Sequence, residues 1–468
     1  MPVTLSQKLA RFVCDEASTL ANDAVCARAR LAILDTLAVT LAGGRDPAVQ
    51  ILEASLDAVS AKGGCPSPWS GAQYSVLDAA LLYGMASHMD DYDDVSMLAV
   101  CHPSAPVLSA LVAAELGGVA GRQSSGRDFI NAFATGTEVT IRIGQTMGFR
   151  HYDLGFHATS TLGVVGATAA VAQLMRLDAR ATCNALAIAA SMAAGVRKNF
   201  GTSVKPLHVG LSASSALRAA QMARAGLDAA TEAFEQGGYL RAYSGGETDR
   251  FPDEGLAFGR PFALEVPGFE QKRYPCCYML HKVIEAALAL RREAGCTLQD
   301  VARAHLLMPK GGTKPLIHPF PRSGLNGKFS APYAVVASLA DGRVDIASFT
   351  DEAVWRPELQ ARLRDVEVIE DVLDVPPDTD LGRMPVTLTL TLRDGRILQH
   401  TVIAPPGSPE DPLTMQQLRG KWLDCLRQGR PEVRCDIADA WFDQGLDLDR
   451  EDRTLNWLLP VFSGRAPA

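Results

Sequence analysis

From residue 5 to about residue 265, apolar side chains recur at intervals of three and four, the spacing that keeps them on one face of a helix. Leu31, Leu34, Leu37, Ala38 and Leu41 form one such stripe, and Gly43 with Gly44 supplies its stop. Ser75 with Asp78 reads as a cap for a helix running towards His88. Ser104 opens another, PVLSALVAAELGG, with Pro near the start and Gly at the end. Asp128 is the expected cap of DFINAFATGTEVTIRIG. The stretches 159–175 and 182–195 are rich in small residues, which lets two helix backbones approach closely. A further helix is expected to begin at Ser212 and close at Gly226.

The texture changes near residue 265. EVPGFEQKRYPCCYML is a loop that runs into a helix, HKVIEAALALRREAG. Val386, Leu388, Leu390 and Leu392 then alternate with Thr387, Thr389, Thr391 and Arg393, the period of a half-buried strand. Asp394–Gly395 makes the turn and RILQHTVIA the return strand. AHLLMPK and DVEVIED are two shorter strands with a helix, FSAPYAVVASLADG, between them. From Pro409 the pattern is helical again. The fold class is therefore mainly α: an all-helical domain over residues 1–266 and 405–468, and a smaller α+β domain over 267–404.

Composition bears on the partners. Aromatics make up only 6%, so the core is built from Ala, Leu and Val, which suits closely packed helices. The net charge is -8 and no run of Lys or Arg occurs, which argues against nucleic acid and membrane surfaces as partners. A small anion needs only a local cluster of cations, because steering follows the local field. The ten cysteines show no CxxC and no Cys/His spacing suited to zinc. The amino terminus carries charges where a signal peptide would be apolar, so a cytoplasmic protein with reduced thiols is expected. Residues 158–175 are uncharged but only weakly apolar, which fits a buried core helix rather than a membrane span.

The residues suited to chemistry stand at junctions between loops and helices. ASHMDDYDDVSMLAVCHPSAPVL places Asp90, Asp91, Asp93 and Asp94 at a helix C-terminus, where carboxylates oppose the dipole, and His102 just before a new helix. This is either a solvated acidic loop or a carboxylate holding His102 in the tautomer of a base. DDYDD also fits the DDxxD pattern with which helical prenyl-diphosphate enzymes hold magnesium. The second acidic motif of such enzymes is missing: Glu247, Asp249 and Asp253 have a different spacing.

In GFHATSTLG, His157 stands at a helix start, whose free N–H groups attract anions; the plainer alternative is a satisfied structural histidine. Lys205 and His208 flank Pro206 in NFGTSVKPLHVG. QKRYPCCYMLHK gathers Lys272, Arg273 and His281, and GKFSAPYAV brings Lys328 and Tyr333 near a helix start. Converging, these junctions would form a positive pocket. No dinucleotide fingerprint, P-loop, HExxH or GxSxG is found, so nothing signals a nucleotide, a catalytic zinc or a serine nucleophile.

Taken in order, HMDDYDD, HPSAPVL, GFHATSTLG, KPLHVG, RYPCCYMLH and KFSAPYAV resemble the MmgE/PrpD family, and the similarity covers nearly the whole chain. That family contains 2-methylcitrate dehydratase, cis-aconitate decarboxylase and iminodisuccinate epimerase. The resemblance implies a large all-helical domain, a smaller α+β lid, a site between them with no metal or organic cofactor, and a homodimer. It places the catalytic positions on Asp91, His102, His157, Lys205 and Tyr333. His281 lies in the matching YPCCYMLH motif, where Cys277 is the other candidate for a family histidine.

Asp91 is expected to orient His102 as base, with Tyr333 as proton donor on the opposite face. Lys205, His157 and His208 would stabilise the anion. Ser96, Arg142, Arg273 and His281 are expected to bind substrate, the arginines as carboxylate clamps. The chain departs from the family pattern at Val95, where Thr is common, and in a span from Asp91 to His102 that is one residue longer. The expected activity is a cofactor-free lyase step, dehydration or decarboxylation, on a small di- or tricarboxylic acid through a proton next to a carboxylate. Alternatives are an epimerase of a dicarboxylate such as iminodisuccinate, a magnesium-dependent prenyl-diphosphate enzyme, and an inactive helical scaffold.

Overall fold

The computed structural model describes residues 4–464 apart from 60–61, 122, 236, 247–256 and 373–380. Glu247, Asp249 and Asp253 therefore lie outside the described residues. Seven helices carry the larger domain and the site: α1 (Asp23–Gly43), α2 (Val76–Met89), α3 (Ser104–Leu116), α4 (Gly126–Asp153), α5 (Ala158–Leu174), α6 (Ala179–Met192) and α7 (Val204–Arg224).

Small side chains decide how these helices meet. A Cβ at Gly84 of α2 would lie 2.6 Å from the Gly210 Cα of α7, and one at Gly210 would lie 2.2 Å from Leu81 O. The two helices thus touch backbone to backbone, which sets the end of α2 beside the start of α7. The uncharged α5 is buried along nearly its whole length. Among the described residues no helix is long and apolar enough to cross a membrane.

Several helix starts differ from the sequence expectation. Ser75 accepts the Asp78 N–H as anticipated. However, α7 begins at Val204 rather than Ser212, because Pro206 falls in the first turn, where no N–H is required. Lys205 and His208 are therefore helical residues. The cap of α4 is Ser125, with Asp128 as its reciprocal partner, and the helix runs on to Asp153 across a kink at Gly148. Pro103 holds the cap position of α3, and the Ser104 hydroxyl turns to Asp94 instead.

In the smaller domain, α8 (His281–Ala294) stops at Gly295 in the left-handed region, φ 64°. A mixed sheet follows, β1 (Val301–Met308), β2 (Val366–Glu370), β3 (Val386–Leu392) and β4 (Ile397–Val402), with α9 (Ala331–Asp341) inserted after β1. The strand order is β2-β1-β3-β4, parallel between β1 and β2 and antiparallel elsewhere. Val386, Leu388, Leu390 and Leu392 face a core shared with α8 and α9, separate from that of the larger domain. Three closing helices, α10 (Met415–Gly429), α11 (Cys435–Leu446) and α12 (Leu455–Ser463), send Trp422, Trp441 and Trp457 into the larger core. The chain's two connections to the smaller domain run side by side, the Gln271 N–H donating to Gly407 O at 2.8 Å.

Candidate active site

Residues 90–103 leave the end of α2 in an irregular loop. Asp91, in the left-handed region at φ 50°, turns its carboxylate inward. Asp91, Asp93 and Asp94 are at most 3% exposed, so the loop is not a solvated acidic surface. Each carboxylate has its own partner. Asp90 meets Lys328 Nζ at 3.0 Å. Asp91 Oδ1 receives Lys205 Nζ at 2.8 Å and Lys272 Nζ at 2.9 Å, and Lys272 also donates to Asp91 O. Asp94 accepts from the Ser104 hydroxyl and N–H. Asp90, Asp91 and Asp94 therefore turn to separate partners, which is not the convergent carboxylate clamp that the prenyl-diphosphate reading requires.

Asp93 serves two imidazoles. His88 Nδ1 lies 2.8 Å and His102 Nδ1 3.2 Å from its Oδ2. The expected orienting partner of His102 was Asp91, which is drawn to the two lysines and stands 3.6 Å from His102 Nε2; Asp93 lies nearer, 3.2 Å from Nδ1, as a charge contact without a hydrogen bond. Four of the nine histidines gather here. His88 packs against His102 and stacks on His157, and the Nδ1 atoms of His157 and His208 are 3.1 Å apart, so one ring donates to the other.

Burial and charge set the protonation states. Burial lowers His102, the neighbouring lysines add to this, and Asp93 opposes them. Burial takes His88 down to about 3 against the pull of Asp93. Burial, His88 and Lys205 hold His157 well below the usual histidine range. For Asp91, burial acts upwards but is outweighed by Lys205 and Lys272, which keep its carboxyl far below the usual carboxylate range. The result is a set of neutral imidazoles beside a compact ion cluster.

Asp91, His102, His157 and Lys205 all line one cavity of about 90 Å³ between the domains. Thr159 joins them from the first turn of α5 and receives the His102 N–H, and Cys277 lines the cavity from the lid side. His157 Nε2 and Asp91 Oδ2 are buried without a hydrogen-bond partner. His208 stands behind His157 and is not part of the lining.

The other expected residues are elsewhere. Tyr333 is fully buried in the lid core, its hydroxyl donating to Ser348 O at 2.5 Å, so it cannot reach the cavity as a proton donor. Arg142 is tied to Glu138 and to Pro261 O, and Arg273 lies against Tyr274 outside the lining, so neither acts as a clamp. The ring of His281 contacts Tyr274 O at 3.1 Å and is outside the lining, whereas Cys277, Tyr278 and Met279 of that motif line the cavity. Ser96 is buried in a tight pairing with Cys101. Sequence reasoning missed His88 and Thr159, and it noted Asp93 and Lys272 without assigning either a role of its own.

Ligand atoms of His88, Asp91, Asp93 and His102 lie within 4.8 Å of one another, a spacing that suits a metal ion. Two ammonium groups on Asp91 Oδ1 bring two positive charges to the edge of that donor set, which matches it poorly to a divalent cation, although Asp91 Oδ2 is unpartnered among the described residues.

Two domain families match the chain: the MmgE/PrpD N-terminal domain over residues 7–252 and the MmgE/PrpD C-terminal domain over residues 274–441. Cis-aconitate decarboxylase of Mus musculus is 29% identical over 365 residues, covering 74% of this chain and 70% of that protein. A cis-aconitate decarboxylase-like protein of Aspergillus oryzae is 25% identical over 417 residues, 85% of each chain. Cis-aconitate decarboxylase of Aspergillus terreus is 26% identical over 368 residues, 74% of this chain and 75% of that protein.

Proposed function

The chain belongs to the MmgE/PrpD family, and from that premise we propose that it is a lyase that moves a proton at the carbon next to a carboxylate of a small polycarboxylic acid. The observation that carries the reading is the one cavity that the half-buried His102 shares with His157 and the Lys205–Asp91 pair, where desolvation holds the His102 imidazole below the usual histidine range. The similarity to cis-aconitate decarboxylases supports a carboxylic-acid substrate.

Asp93 at Nδ1 favours the tautomer in which His102 Nε2 is the basic atom. His102 takes the α-proton, and the electron pair left on carbon delocalises into the carboxylate as an enediolate. Lys205 and His157 stabilise that charge, aided by the N-terminus of α5; a single preorganised donor of this kind is worth about 3 kcal/mol. Expulsion of β-hydroxide completes a dehydration. Run in the opposite sense, His102 first takes a proton from solvent at Nε2 and gives it to an alkene carbon; the bond to the adjacent carboxylate then breaks, its electron pair forms the new double bond, and carbon dioxide leaves with His102 again neutral. The Cys277 thiol, pushed up to about 11 by burial and the nearby Asp91, keeps its proton at neutral pH and is the proton-bearing group on the lid side.

The test is proton exchange from deuterated water together with product formation, measured by NMR with cis-aconitate, citrate and methylcitrate. His102→Gln is expected to lower turnover by roughly 100-fold or more, with unchanged thermal unfolding. Because the folded-state pKa of His102 is depressed, the acid limb of kcat/KM should fall below about pH 6.5. Wild-type turnover in the variant, or an acid limb well above that value, would remove His102 from the role.

A further inference from the structure

His157 holds the cap position of α5, and His208 lies in the second turn of α7. The two helices are clasped at that level. Ser160 of α5 donates to His208 O at 3.2 Å, and Ser212 of α7 donates to Ser160 O at 3.0 Å. The His157 N–H donates to Gly195 O at 3.1 Å. Its ring stacks on His88 at 5.6 Å between centroids and meets Phe200 edge-on at 5.0 Å. Backbone and ring plane are thus both held. In that setting Nδ1 meets His208 Nδ1 at 3.1 Å. The remaining ring nitrogen, Nε2, is buried and has no hydrogen-bond partner among the described residues. His157 lines the cavity and His208 does not.

Burial holds both rings below the usual histidine range, helped by His88 and Lys205 at His157 and by Lys205 at His208. Each ring therefore carries one proton at neutral pH, and only one of the two facing nitrogens bears it. A proton on His157 Nδ1 would leave a bare Nε2, which repels an anion. A proton on His208 Nδ1 makes His157 the acceptor and sends its own proton to Nε2, where it can be donated to negative charge. Asp91 Oδ2, also unpartnered among the described residues, belongs to the same lining and favours a donor at Nε2 in the protein by itself.

We propose that His208 is a positioning residue: its Nδ1–H donates to His157 Nδ1 and so fixes His157 as an Nε2–H donor to the charge that develops in the cavity. This deepens the reading of the site as one that moves a proton next to a carboxylate, and rests on it.

Long-range proton–nitrogen NMR of the full chain, with isotope-labelled histidine, reads the tautomers without any ligand. The His157 proton is expected on Nε2 and the His208 proton on Nδ1; the reverse order overturns the proposal. His208→Asn and His208→Asp then separate donor from packing, because the amide can donate and the carboxylate can only accept. Their kinetics are measured on whichever of cis-aconitate, citrate and methylcitrate is turned over. His208→Asn is expected to hold kcat within roughly fivefold of wild type. His208→Asp draws the His157 proton to Nδ1 and should lower kcat roughly 30-fold or more at about pH 9, where His157 stays uncharged beside the new carboxylate. KM should change less than about threefold, because the lost donor acts on charge present only in the transition state. Equal losses in the two variants would overturn the proposal and leave His208 a packing residue.

Failure of the reaction is told apart from failure of this role. A wild type that turns over none of the three acids sinks the reaction, while NMR still decides the tautomer. Turnover with the protons reversed sinks only the role of His208.

Discussion

Asp94 is the residue whose charge the fold handles least favourably. Among the described residues it makes no ion pair; burial pushes its carboxyl up to about 8, with Asp35 and Asp93 adding to this against the Ser104 hydrogen bonds. An unfolded Asp titrates near about 3.9. Between those two values the folded chain holds a proton that the unfolded chain has lost, so stability falls as pH rises through this window and the full cost is present above it. The slope approaches about 1.4 kcal/mol per pH unit. Urea unfolding should therefore show the wild type losing roughly 2 kcal/mol between about pH 6.5 and 8 that Asp94→Asn does not lose. Parallel stability profiles for the two proteins would contradict this.

The same loop shows why some residues were legible in the sequence and others were not. His102, His157 and Lys205 each stand beside a helix-start signal, which marks them out. His88 lies inside the apolar run LLYGMASHM, where periodicity assigns it to the core; it is indeed buried, yet its ring is what holds Asp93. Lys272 and Arg273 are neighbours in a loop without periodicity, so nothing in the sequence says which one turns inward.

Among the elements, the pair α2 and α7 matters most, because it brings His88 and the Asp91 loop to Lys205 and His208. Gly210→Ala would drive a methyl group against the Leu81 carbonyl and part the two helices. Overpacking of this kind costs about 1–3 kcal/mol. The expected outcome is a lower melting temperature with a loss of turnover out of proportion to it, because the lysine–carboxylate contacts lengthen; full activity would show that the close approach is not needed. The elements themselves followed from pattern, including the four strands and the helix pair around the small-residue stretches. Expecting Tyr333 at the site failed at this scale. A capping serine says where α9 begins, not what that end faces, and α9 starts inside the lid core.

For the molecule as a whole, Lys421 of α10 links what the chain order separates. Its ammonium pairs with Asp35 of α1 at 2.7 Å, lies 3.8 Å from the Tyr92 ring centroid, and donates to Tyr92 O and Lys272 O. One buried side chain thus fixes both the acidic loop and the loop that delivers Lys272. Lys421→Met leaves Asp35 buried without its counter-ion, a change that costs about 3–5 kcal/mol. Adding Asp35→Asn should restore most of the stability in chemical denaturation while turnover stays low, because the two carbonyls remain untethered. Recovery of turnover together with stability would reduce Lys421 to a purely structural part.

Gln271 and Gly407 sit hand in hand where the α+β domain is spliced into the helical one. A segment whose two ends leave and rejoin its host at one point behaves as a cassette. It can be lifted out and replaced by a relative's without rerouting the host, and it brings its own half of the binding wall, Met279 and Leu381, along with it. Diversification of such a protein can proceed by trading that insert while the histidines stay where they are.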